Sequence, residues 1–291
     1  GTYGTNGFYL PMKPTTQAEG FNTVLYSGNT QAMNVDGVGF SPDFVWIKNR
    51  LAGNPHYLYD SVRGVHKSLQ SNATTAEDGY PYQLTSFDTD GFSLPTDTAG
   101  YNNYAGREYV AWCWDAGSGS AGTNTEGTIN STVKANPATG FSIVSYTGNG
   151  TSAGARTVGH GLGVTPAMVI VKSRGAVRGW ETWFKGFSSS EYMFLNTTGA
   201  KASFSNSWGS TPTSTVFGVN NSTNSNNASE AYIAYCFAEV AGYSKFDSYT
   251  GNPSSGVTVT TGFRPAWVMM KSSSNASTPW QIFDNTREPN N

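Results

Sequence analysis

The 291-residue chain carries Lys+Arg 17 against Asp+Glu 19 and a net charge of −2, which excludes the dense basic face that a phosphate-backbone partner requires. No apolar run approaches the length of a bilayer-spanning helix, and membrane insertion is not expected. Gly 34, aromatics at 14% and charge at only 12% exclude a helical bundle and favour many short strands joined by turns, an all-β fold.

The chain opens with Gly1-Thr2-Tyr3-Gly4-Thr5-Asn6-Gly7-Phe8-Tyr9-Leu10-Pro11 and shows no charged-then-apolar leader. Residues 1–20 read as a linker or the end of a preceding domain, so the sequence is expected to be a fragment of something longer. Strands are predicted over 21–26, 44–48, 56–60, 83–87, 92–94 and 109–115, with 128–133 leading onward; that spacing belongs to a sandwich or jelly roll. Pro42-Asp43-Phe44-Val45-Trp46-Ile47-Lys48 and Tyr109-Val110-Ala111-Trp112-Cys113-Trp114 are apolar on consecutive residues, so both faces of these strands should be covered by packed sheets. Proline at the head of such a run removes a ladder donor and belongs at or before the strand's first residue. Asp88-Thr89-Asp90-Gly91 resembles the start of a calcium loop but lacks the closing glutamate; a hairpin turn explains it without metal. The Gly/Ser/Thr-rich stretch 117–125 reads as a joint.

The pattern then recurs. Tyr26-Ser27-Gly28-Asn29 reappears as Tyr146-Thr147-Gly148-Asn149 and Tyr249-Thr250-Gly251-Asn252, each followed by a Pro-led run: Pro42 to Lys48, Pro166 to Lys172 and Pro265 to Lys271. The aromatic block around Cys113 reappears as Tyr232-Ile233-Ala234-Tyr235-Cys236-Phe237. The first two prolines lie 124 residues apart (166 − 42) and the cysteines 123 apart (236 − 113). The chain therefore divides into tandem β-sandwich or jelly-roll-like modules over 21–127 and 128–245, followed by the front half of a third over 246–291. Within the second, 205–229 reads as a long surface loop, and Gly159-His160-Gly161-Leu162-Gly163 as a loop that lacks the Lys-Ser/Thr of a phosphate site. In the third, Val257-Thr258-Val259-Thr260 alternates and reads as a half-exposed strand. An unfinished sheet leaves open edges for further sequence or a neighbouring chain to cover.

No catalytic constellation stands out. His56, His66 and His160 occupy unmatched positions of the repeat, neither Cys113 nor Cys236 has a histidine nearby, and no carboxylate pair is evident. The chain is read as non-enzymatic and without cofactor or metal, and both cysteines as buried free thiols. A binding site, if present, rests on aromatics beside loop-like sequence. Trp46, Trp112, Trp114 and Trp267 lie inside strand patterns and belong to the core, whereas Trp180, Trp183, Trp208 and Trp280 flank loops. Trp180, Trp183 and Trp280 are the leading candidates for stacking on sugar rings. Asp60 and Arg63 are secondary polar contacts, repeated as Asp284 and Arg287 but lost in the second copy, where Trp183-Phe184-Lys185-Gly186-Phe187 stands instead. The bland reading of each Asp/Arg pair is a turn-fixing charge pair at a strand end, and that reading is the default.

Gly39-Phe40-Ser41-Pro42-Asp43-Phe44-Val45-Trp46-Ile47-Lys48-Asn49-Arg50, Tyr59-Asp60-Ser61-Val62-Arg63-Gly64, Tyr109 through Gly117 and Gly140 through Gly150 resemble a repeat domain of bacteriophage virion proteins, abundant in marine and cyanobacterial phages. Those proteins are often described only as tail-fibre-like or uncharacterised, and frequently carry concanavalin-like lectin domains upstream. The resemblance runs from about residue 4 to the end, and Gly7-Phe8-Tyr9-Leu10-Pro11 looks like the usual opening of the repeat. It implies a virion location on the extracellular particle surface, association with copies of itself, most simply as a homotrimer, and with other virion proteins. It also implies multivalent, individually weak contact with host-surface glycan or protein. A purely structural head-decoration or fibre-shaft protein, and a carbohydrate-binding module of a larger protein, are the alternatives.

Overall fold

A computed structural model describes residues 20–150, 156–205 and 207–287. Its strands, in chain order, begin with β1 (Phe21–Ser27), β2 (Met33–Asp36), β3 (Phe44–Asn49), β4 (Tyr57–Asp60), β5 (Leu69–Gln70), β6 (Ser86–Asp88), β7 (Gly91–Leu94) and β8 (Glu108–Trp114). There follow β9 (Gly122–Asn124), β10 (Ser131–Asn136), β11 (Phe141–Thr147), β12 (Arg156–Gly159), β13 (Met168–Ser173), β14 (Glu181–Phe184), β15 (Glu191–Phe194), β16 (Ala202–Ser203), β17 (Val216–Val219) and β18 (Ala231–Phe237). The last two are β19 (Trp267–Met270) and β20 (Gln281–Asp284). Among the described residues there is no helix, and every named strand pairing is antiparallel, so the fold is all-β and sandwich-like.

Two sheets dominate. One runs β1-β8-β3-β4-β5, and the second contains the run β11-β18-β13-β14-β15. The registers coincide: Phe44 faces Trp114 and Asp60, as Met168 faces Phe237 and Phe184. Each sheet is covered on its outer face by a smaller one, β2-β7-β6 over the first and β12-β17 over the second.

The consecutive apolar residues now sort by strand alternation. Val45, Ile47, Tyr109, Ala111 and Cys113 point into the first sandwich with Val35 and Phe92. Val169, Val171, Tyr232, Ala234 and Cys236 point into the second with Val158 and Phe217. The intervening residues, Phe44, Trp46, Trp112 and Trp114 from one sheet and Met168, Ile170, Ile233 and Tyr235 from the other, meet in a third cluster between the two sandwiches. Both faces of these strands are therefore covered. The third hairpin, β19 and β20, adds Trp267, Met269, Trp280 and Ile282 to the same central cluster.

The Tyr-x-Gly-Asn motif has a packing cause. Tyr26 stacks on Tyr109 at 5.0 Å and donates to the Asn102 carbonyl, while Tyr146 stacks on Tyr232 at 5.3 Å and donates to the Ser225 carbonyl. A Cβ at Gly28 would lie 2.3 Å from the Tyr104 carbonyl oxygen, and one at Gly148 2.3 Å from that of Asn227, so glycine is required by close backbone approach. The lysine that closes each Pro-led run bonds loop carbonyls: Lys48 those of Ala52 and Asn54, and Lys172 those of Ser173, Thr74 and Ala176.

The structure differs from several sequence expectations. Residues 257–260 are exposed and form no strand, because an alternating segment needs a ladder partner and the described residues offer it none. The joint 117–125 contains edge strand β9, and the loop 205–229 contains β17. The short strands β2 and β5 escape sequence reading because a few mixed polar residues give too little periodicity. Asp88 and Asp90 serve the β6–β7 hairpin: Asp88 accepts from the Ser86 and Ser93 hydroxyls, and Asp90 from the backbone N–H groups of Gly37 and Gly39.

Cys113 and Cys236 are free and buried, and burial pushes both thiols up, Cys236 to about 12. Cys113→Ser should lose about 1–3 kcal/mol, since a hydroxyl in this apolar layer is desolvated without a matching partner. Urea unfolding beside Cys113→Ala measures the difference. Rapid thiol labelling of the folded protein would contradict the burial.

Candidate functional site

All of the sequence-predicted site residues except Trp183 lie in or against the space between the sandwiches. Asp60, Phe184 and Asp284 occupy one register position, opposite Phe44, Met168 and Trp267. His56, Trp180 and Trp280 occupy another, immediately before β4, β14 and β20.

Arg63 is fully enclosed and uses all five donors. It pairs with Asp60 through Nε, and Nη1 donates to the Lys67 carbonyl at 3.1 Å and to Glu77 at 3.2 Å. Nη2 donates to the Leu58 carbonyl at 2.9 Å and to the Tyr235 hydroxyl at 3.3 Å. Asp60 also accepts from the Arg63 backbone N–H and, at 2.8 Å, from the Tyr235 hydroxyl of the second sandwich. Burial opposes the guanidinium charge, but Asp60, Tyr235 and Glu77 around it raise the Arg63 pKa further. Glu77 binds Arg174 of the second sandwich through both carboxylate oxygens at 2.9 Å. The pair is thus a knot between the sandwiches, well beyond a turn-fixing surface pair.

The third hairpin repeats the arrangement against the first sandwich. Asp284 pairs with Arg287 and accepts from Trp112 Nε1 at 3.0 Å, and the Arg287 guanidinium sits 5.1 Å from the centre of the Trp112 ring. Phe184 stands where these aspartates stand and packs on Phe187 and Trp280.

The tryptophans do not form an exposed platform. Trp180 is 0% exposed and donates to the Gln70 and Ala73 carbonyls of the first sandwich at 2.8 and 3.1 Å. Trp183 points the other way, into the second sandwich, and donates to the Ser188 carbonyl. Trp280 is partly buried and donates to the Phe194 carbonyl at 3.1 Å. Trp208, also beside loop-like sequence, is 0% exposed. The expectation that these rings face solvent is corrected: loop composition marks where a ring sits along the chain, whereas its large apolar area drives it under the neighbouring sheet. Sequence reading missed Tyr235, Glu77, Gln70 and Arg174, whose partners lie in the other sandwich. Nothing near them in sequence signals the pairing.

His56 accepts from Trp46 Nε1 at 2.9 Å and stacks beside Trp112. Burial, then the charges of Lys48 and Arg287, hold it down to about 4. Its folded value lies below the ordinary 6.5, so its contribution to stability is complete above 6.5 and is lost as pH falls through about 4. The loss approaches ~3 kcal/mol. Melting temperature against pH should fall more steeply between 6.5 and 4 for the native chain than for His56→Phe; parallel curves would refute the assignment. His160 accepts from the Leu162 N–H and contacts the Thr213 carbonyl.

The architecture defines an all-β, sandwich-built protein whose polar cluster joins its parts. Residues 16–291 match the profile described as "Domain of unknown function (DUF7483)", and the chain belongs to that family. No curated protein and no solved structure matches it.

Proposed function

We infer that the chain is a non-enzymatic structural protein of a phage virion, a stiff β module of fibre-shaft or decoration type on the particle surface. The virion assignment rests on the sequence resemblance. The observation that favours a structural role is the use of Asp60, Arg63 and Trp180 as mortar between sandwiches, which leaves these groups no free face for a ligand. Assembly with copies of itself as a homotrimer and with other virion proteins belongs to the same proposal. Cross-linking mass spectrometry and immunogold labelling of purified particles test it: cross-links to neighbouring virion proteins support it, and absence from the particle sinks it.

The adhesin reading, multivalent contact with host-surface glycan, moves to other residues. Tyr80 and Tyr82, 52% and 38% exposed, present rings on loops of the first sandwich, and Tyr80 stacks on Tyr101. A glycan array in which native protein binds and Tyr80→Ala/Tyr82→Ala does not would favour this second reading. Equal silence of both proteins leaves the structural one.

A further inference from the structure

The two sandwiches share a frame, so their small cover sheets correspond position by position. Asn34 faces Ser93 across β2 and β7, as Thr157 faces Gly218 across β12 and β17. The neighbouring pairs, Val35 with Phe92 and Val158 with Phe217, enter the two cores. By alternation Asn34 and Ser93, like Thr157 and Gly218, lie on the face turned away from the core.

The second cover sheet is closed on that face. A Cβ at Gly218 would lie 2.4 Å from the Trp208 carbonyl oxygen and 2.5 Å from that of Ser210, so the chain around 208–210 lies directly across β17. On the first cover sheet serine takes the place of that glycine, and Asn34 beside it is exposed. A groove of about 520 Å³ opens there, lined by Asn34 and Ser93 and by Pro81, Tyr82, Thr85 and Pro95 from the flanking segments. Its volume falls within the range of small-ligand clefts, roughly 300–1,000 Å³.

The chemistry of the groove suits a neutral polyol. The Ser93 hydroxyl spans Asn34 Oδ1 at 3.0 Å and Asp88 Oδ2 at 2.6 Å, and the other Asp88 oxygen accepts from Ser86 at 2.7 Å. This chain fixes the Asn34 amide by its oxygen and leaves its nitrogen to donate. Thr85 donates to the Ser93 carbonyl at 3.1 Å, so its hydroxyl oxygen is left to accept. The groove thus offers a donor and an acceptor for the hydroxyls of a sugar. Pro81, Pro95 and the Tyr82 ring, which is 38% exposed, supply apolar surface for its C–H face. Every side chain lining the groove is uncharged, and Asp88 lies one hydroxyl away, so an anionic ligand would find no counter-charge and would meet a like one.

We propose that this groove binds one neutral pyranose residue of a glycan, with the Tyr82 ring against the sugar face and Asn34 and Thr85 holding its hydroxyls. The assignment rests on the adhesin reading above and narrows it to one site, where Tyr82 rather than Tyr80 makes the contact. Because the equivalent face of the second sandwich is closed, the duplication adds no second site of this kind. Multivalent contact then comes from copies of the chain.

The test titrates the full chain with methyl glycosides of glucose, galactose, mannose and N-acetylglucosamine, each beside its C6-carboxylate form, and with a polyproline peptide, following backbone amide NMR shifts. At least one neutral glycoside should bind one to one and shift amides of 32–34, 82–85 and 93–96. Asn34→Trp, which fills the groove from an exposed position, and Tyr82→Ala should each weaken binding about tenfold or more. Asn34→Ala should weaken it several-fold, Tyr80→Ala should leave it unchanged, and the carboxylate form should bind several-fold more weakly than its parent. Equal binding of the carboxylate form, or groove shifts from the peptide with none from the sugars, would overturn the proposal. Shifts centred on Tyr80 and Tyr101 and abolished by Tyr80→Ala would overturn the groove and keep the adhesin reading. Silence toward every glycoside overturns the groove, and the adhesin reading falls with it only if the glycan array is silent too.

Discussion

Asp60→Ala should destabilise the protein by about 3–5 kcal/mol, because it leaves the enclosed Arg63 guanidinium with Glu77 as its one remaining counter-charge and the buried Tyr235 hydroxyl without its acceptor. Replacing both partners, Asp60→Leu with Arg63→Leu, should recover part of that loss, since removing a buried pair together avoids an uncompensated charge. Asp284→Ala should cost less, about 1–2 kcal/mol, because the Arg287 side chain is 24% exposed and water can solvate it. Urea unfolding of the three variants beside the native chain measures the order. A loss under about 1 kcal/mol for Asp60→Ala would return the pair to the turn-fixing role that exposed pairs play.

Trp180→Ala should be comparably damaging, at about 3–5 kcal/mol, since it empties an indole-sized volume in the central cluster. It also deprives the Gln70 and Ala73 carbonyls of a donor. Trp180→Phe keeps most of the volume and loses the N–H, so about 1–2 kcal/mol is expected. Combining Trp180→Ala with Trp183→Ala opens cavities on both faces of β14 and should unfold the second sandwich, as loss of the near-ultraviolet circular dichroism would show. A Trp180→Ala protein of native stability would mean that the ring is dispensable to the central cluster and would reopen its role as a ligand contact.

The same two sites show how far the sequence reaches. The Pro-led runs and the aromatic blocks identify their own strands, because several consecutive β-branched and aromatic residues need cover on both faces of a sheet. The repeated Tyr-x-Gly-Asn marks a tyrosine stack and a glycine pressed against backbone in both places where its partner strand is present. Strand identity, the all-β class and the burial of Cys113 and Cys236 are properties of a strand's own alternation and apolar content, so the sequence by itself determined them. It did not determine which face of β3, β8, β13 and β18 enters a sandwich and which enters the central cluster, because both faces are equally apolar. Nor did it determine whether Trp180, Asp60 and Arg63 face solvent. Trp180 meets Gln70, and Asp60 and Arg63 meet Tyr235, only when the second sheet docks on the first, so only the tertiary structure decided it.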